Sequence, residues 1–193
     1  MPLDAFKNLN EVFKPDLEKN ITLEEFHNEL VQINLIKKAP EGIKIQFDIV
    51  KNLMLYSWFV RRFKHVADLH AFTTIEYAIR TKIELVTHKK CELKNLRPLL
   101  EYAMNEKWIV DTGFTQIVEK REKQKQFRNI INKEMGIDIV DDTEEDIQRF
   151  SRALTKYIPT LRNNFAHGGN SLIGGYLEIV ITCKDIINQL FRI

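Results

Sequence analysis

The segment Arg162-Asn163-Asn164-Phe165-Ala166-His167 holds side chains whose types could act together on a phosphate. A guanidinium offers a planar fork of donors that can clamp a phosphate bidentately and stabilise charge growing in a transition state. An imidazole titrates near neutrality and can take a proton from a hydroxyl or give one to a leaving oxygen. Successive helical residues are about 100° apart, so Asn163 and His167, four apart, fall within about 40° of one another. Both face away from the segment's apolar stripe of Ile147, Phe150, Leu154, Tyr157, Leu161 and Phe165, and Arg162 lies at its edge. His167 thus avoids the core of its own helix. It is left as a surface residue, the ordinary fate of a lone histidine, or as one set against a partner beside Gly168-Gly169. In an unbroken helix Arg162 and His167 stand about 140° apart, too far to share one phosphate, unless the helix ends at Ala166 and frees the imidazole. Gly168-Gly169 supplies such an ending.

The elements that must position these residues read as helices. Thr22-Leu23-Glu24-Glu25 is a capping box, and Leu23, Phe26, Leu30 and Ile33 continue on one face to about Lys37. Ile43-Lys44-Ile45-Gln46-Phe47 alternates apolar and polar residues as a short strand does. From Asp48 to about Val86 the pattern is helical, with a break near Phe63-Lys64-His65. Within it Ala67, Ala71, Thr74 and Ala78 form a stripe of small side chains suited to close helix packing. Further helices are expected from Asn95 through Ala103, with Pro98 in the first turn, and from Phe114 to Met135, ended by Gly136. Asp142 to Asp146 carries the cap and first-turn acids of a helix whose apolar face continues across Pro159, implying a kinked rather than a broken element. A last helix, capped by Asn170 or Ser171, presents Tyr176, Ile179, Val180, Cys183, Ile187 and Leu190.

The 193 residues are 44% hydrophobic and poor in Gly (7) and Pro (5), which favours helices over disorder or turn-rich sandwiches. A net charge of only +2 means that any nucleic-acid binding must come from local clusters. The candidate cluster is Lys120, Arg121, Lys123, Lys125 and Arg128, against the simpler reading of a solvated helix face. No apolar run matches a membrane span and the N-terminus lacks a signal core, so no membrane association and a cytoplasmic location are expected. Cys91 and Cys183 read as ordinary thiols. His88 and Cys91 are one ligand pair without a second, so no metal site is expected, and no glycine loop indicates a nucleotide cofactor. Asp141-Asp142 and Glu144-Glu145 read as favourable charge at a helix start, and Glu76 as an exposed or salt-bridged side chain that could face the site.

An Arg-Asn pair followed by Ala-His at the end of the penultimate helix resembles the Arg-x4-6-His signature of the HEPN superfamily. The long helix containing Leu69-His70-Ala71-Phe72-Thr73-Thr74-Ile75-Glu76-Tyr77-Ala78-Ile79-Arg80 looks like that of bacterial members. The likeness covers roughly Asp48 to Ile193. It implies an all-α, HEPN-like helical bundle over residues 47–193, with residues 1–46 as a helical extension packed on it. Many members are RNases, some in toxin or phage-defence systems, and they commonly pair so that two motifs meet across a dimer interface. Carried over, Arg162 would hold the scissile phosphate, His167 would move protons and Asn163 would orient or assist. The implied activity is metal-independent cleavage of single-stranded RNA to 2′,3′-cyclic phosphate and 5′-hydroxyl ends, without a cofactor. The implied partners are RNA, a second copy of the chain, and an antitoxin or nucleotidyltransferase. Some HEPN toxins carry a modifiable Tyr two places after the motif histidine; Gly169 stands there in this chain. The alternative is a HEPN-like module that binds a partner protein or nucleotide without catalysis.

Overall fold

The computed structural model describes residues 6–16, 20–123, 126, 148–167 and 176–192, and the regular structure among them is entirely helical. The chain is an all-α bundle built around one long element. The helices are α1 (Leu23–Gln32), α2 (Glu41–Tyr56), α3 (Phe63–Thr87), α4 (Leu96–Asn105), α5 (described over 115–123), α6 (Arg149–Ala166) and α7 (Glu178–Leu190).

The capping box forms: Thr22 Oγ1 accepts from the Glu25 N–H at 3.1 Å and Glu25 Oε2 from the Thr22 N–H at 2.6 Å. α1 stops at Gln32, short of the expected Lys37. The reason lies in α7, where Asn188 Oδ1 accepts from the Ile36 N–H at 2.8 Å and its Nδ2 donates to the Asn34 carbonyl at 3.3 Å. Those bonds satisfy backbone groups that a longer helix would have used internally.

The strand expected over residues 43–47 is instead helix, the first turns of α2. Ile43, Phe47, Val50 and Met54 follow i, i+4, i+7 and i+11 and are all buried, whereas Ile45 is 52% exposed. Five alternating residues matched a strand only because the window was too short to show the longer period. α2 also runs through the 46/47 boundary drawn from the sequence, and Phe26, Leu30 and Ile43 share one core cluster with Phe47 and Val50.

α3 packs against α2, α4, α6 and α7. Its small stripe is buried at every position, Ala67, Ala71, Thr74 and Ala78, and the Cys183 thiol of α7 approaches the Ala71 carbonyl at 3.4 Å. Burial pushes the Cys183 thiol far above its ordinary pKa, so it behaves as a core residue. His88 ends α3 in a left-handed conformation at φ 55° and is exposed.

α6 is continuous through Pro159. Its buried face is Ser151, Leu154, Thr155, Ile158 and Leu161, while Tyr157, expected in the stripe, is 47% exposed. The apolar face is therefore rotated from the one drawn from the sequence, toward Ile158. Ile147, the acids at 142–146, Gly136, Gly168-Gly169 and the caps Asn170 and Ser171 lie outside the described residues. Tyr176, assigned from the sequence to the last helix, precedes it and hydrogen-bonds Ser57 Oγ while packing edge-on to Phe26. No helix among the described residues is long and apolar enough to cross a membrane.

Candidate functional site

The helix that carries the motif starts on a buried carboxylate. Asp111, fully enclosed, accepts from the Ser151 N–H at 2.7 Å, from Ser151 Oγ and from the Phe150 N–H at 3.1 Å. These N–H groups belong to the first turn of α6, where no intrahelical acceptor is available to them, so Asp111 acts as a cap delivered from a distant loop. Arg121 completes the arrangement at 3.2 Å from Asp111 Oδ2. Gly113, two residues on, lies against α7: a Cβ there would sit 2.0 Å from Gln189 Cδ, and Gln189 Oε1 accepts from the Val110 N–H at 2.8 Å.

At the other end, Phe165 fastens α6 to α3. Its ring lies nearly parallel to Phe72 at 6.1 Å between centroids and meets His65 edge-on at 5.3 Å. With Phe165 turned inward, Arg162 is half-buried on the flank, and Asn163, Asn164 and His167 are exposed. α6 ends at Ala166, with the His167 N–H donating to the Asn163 carbonyl at 3.0 Å. His167 is the residue at which the helix ends, the arrangement in which its imidazole need not follow the helical projection.

Arg162 and Asn163 form one wall of a cleft of about 440 Å³. Glu76 of α3 and Lys94, Asn95 and Arg97 around the start of α4 line the rest, together with Leu96, Pro159 and Thr160. Arg80 holds this wall in place: it pairs with Glu76 at 2.8 Å and donates to the carbonyls of Leu93 and, at 2.9 Å, Lys94. The loop before α4 is thereby stapled to α3, and the one carboxylate among the described lining residues, Glu76, is already charge-paired. Glu76 is thus both salt-bridged and in the cleft wall. The first turn of α4 receives no side-chain cap from Asn95.

The side chains singled out from the sequence divide. Arg162 and Asn163 share the cleft, with Arg162 Nη1 3.5 Å from Asn163 Oδ1; His167 stands outside its lining, one turn beyond Asn163. Lys120 and Lys123 are exposed, Arg121 is committed to Asp111, and Lys125 and Arg128 lie outside the described residues. Lys94, Asn95 and Arg97 were not singled out from the sequence. They lie over sixty residues from the motif, and no local pattern marks them. Among the described residues, no group of three or more His, Cys, Asp or Glu side chains is arranged to hold a metal ion.

Fold and site together define a helical bundle with a polar, cationic cleft at the end of one of its helices. No family model, curated protein or solved structure matches the chain.

Proposed function

We propose that the chain is a metal-independent endoribonuclease of the HEPN type that cuts single-stranded RNA. One observation carries the reading: Arg162 and Asn163 open onto a cationic cleft while His167, a proton-transfer group, is exposed at the helix end one turn away. In this reading Arg162 binds the non-bridging oxygens of the scissile phosphate. His167 removes the proton of the ribose 2′-hydroxyl, O2′ attacks phosphorus, and the 5′-oxygen leaves with a proton from a second acid. The products are a 2′,3′-cyclic phosphate and a 5′-hydroxyl. Asn163 orients the phosphate or the imidazole.

A homodimer fits this chemistry, because one motif supplies a single histidine for two proton transfers and two-fold pairing brings a second. We further propose the cytoplasm as the site of action, a toxin or phage-defence role, and control by an antitoxin or nucleotidyltransferase.

One observation favours a second reading, a non-catalytic HEPN-like module that binds a nucleotide or a partner protein: His167 is not in the cleft lining. The test is incubation of purified protein with single-stranded RNA in EDTA. Cyclic-phosphate ends that vanish with His167→Ala and Arg162→Ala support the nuclease. RNA that is bound but stays intact across several substrates supports the binding module.

A further inference from the structure

We infer that the cleft between α3, α4 and α6 is a phosphate-backbone subsite for single-stranded RNA, in which Lys94 and Arg97 hold phosphate groups next to the linkage that Arg162 and His167 address. The identity of the strand rests on the ribonuclease reading above; the phosphate chemistry rests on the cleft.

Three cations, Lys94, Arg97 and Arg162, surround a cavity of about 440 Å³. That volume lies within the range of small-ligand sites. The one carboxylate among its described lining residues, Glu76, is compensated by Arg80 at 2.8 Å, so those residues carry an excess of positive charge. Among the described residues the Lys94 and Arg97 side chains make no hydrogen bond or ion pair, and Arg162 makes only the 3.5 Å contact to Asn163. Several other cations of the fold are committed, Arg80 to Glu76 and two carbonyls, Arg121 to Asp111, and Lys64 to Asp68 at 2.6 Å, whereas exposed cations such as Lys120 and Lys123 do not line this cleft. Uncommitted donors converging on a polar cavity fit an anion from solution.

The lining also selects between phosphate and base. Among the described residues it contains no aromatic ring, the platform on which unpaired bases stack. Recognition therefore falls on the backbone, and the cleft is indifferent to sequence. His167 lies five residues beyond Arg162, about 7.5 Å further along the helix axis. A strand whose neighbouring phosphates occupy the cleft leaves it past His167.

The experiment measures binding of a 2′-O-methyl oligoribonucleotide, which lacks the attacking hydroxyl, by fluorescence anisotropy across a salt series. Cleavage of the matching RNA is followed in parallel. Lys94→Ala and Arg97→Ala, both at exposed positions and checked by circular dichroism, should each weaken binding. The double variant should reduce the salt slope by about 1.4, or about 0.7 for each phosphate of the single strand that is no longer neutralised. KM for cleavage should rise while kcat holds. His167→Ala should retain affinity and slope. An unchanged slope and KM in the double variant, with RNA still cut by the parent, overturns the subsite and leaves the nuclease standing. A reduced slope with no cutting by the parent overturns the nuclease and leaves the phosphate cleft. If AMP or ADP binds as tightly as the oligonucleotide and displaces it, the ligand is a free nucleotide and the strand assignment is overturned.

Discussion

At its N-terminal end α6 begins on Asp111, a carboxylate with no solvent exposure whose two oxygens accept from Ser151, Phe150 and Arg121. At its C-terminal end the same helix finishes on Arg162, Asn163 and His167, for which the one polar side-chain contact among the described residues is that of Arg162 to Asn163 at 3.5 Å. The contrast separates polar groups that hold a structure from those left free to act on something else. A buried carboxylate is tolerated only when its hydrogen-bonding capacity is filled from within. Polar groups left open at a helix end, around a cavity, keep that capacity for a ligand.

Substitutions at the two ends should therefore fail in different ways. The largest effect is expected at the C-terminal end. His167→Ala and Arg162→Ala should each slow RNA cleavage on the order of 10²–10⁴-fold with unfolding midpoints unchanged. If both lowered the urea midpoint sharply, the open end would be structural and the contrast would collapse. At the N-terminal end Asp111→Ala orphans two backbone donors and removes the carboxylate beside Arg121, and should cost about 3–5 kcal/mol in chemical denaturation.

A smaller effect divides α5. Charge reversal of exposed Lys120 and Lys123 should weaken RNA binding and lower the salt slope without altering stability. Arg121→Ala should instead lower stability, since its partner is Asp111. Equal loss of affinity from all three would return Arg121 to the RNA-binding set.

The smallest effect concerns His70 on α3, whose pKa is lowered by burial and whose enclosed Nε2 finds no partner among the described residues. The unfolded state takes up this proton more readily than the folded one. Its stability contribution is therefore present above the unfolded value near 6.5 and is lost as pH falls through the depressed folded value. His70→Gln should flatten the pH dependence of the unfolding midpoint below that point; an unaltered profile would mean that His70 does not set it.

Much of this molecule is local and was legible as such. The capping box of α1, the start of α4 near Asn95 and the helical period carried across Pro159 depend on residues a few positions apart. The same holds for the projection of Asn163 and His167 to one side, which follows from 100° per residue and nothing else. The failures share the opposite cause. α1 ended early because Asn188, more than 150 residues away, took over its backbone groups. Arg121 looks like one of five similar cations in the sequence, and only the fold sets Asp111 beside it. In the 43–47 segment the strand and helix periods are both satisfied over five residues, and burial of Phe47, Val50 and Met54 decided for the helix.

By itself the sequence determined the all-α class, though not the helix over residues 43–47, and the presence of an arginine, an asparagine and a histidine on the outer side of one helix end. Which cations would join them was decided by the tertiary structure alone. Arg80 staples the loop of Lys94 to α3, and Phe165 pins the end of α6 beside it. A helix's period is written in neighbouring residues, whereas a cleft forms where segments distant in the chain are brought together by packing.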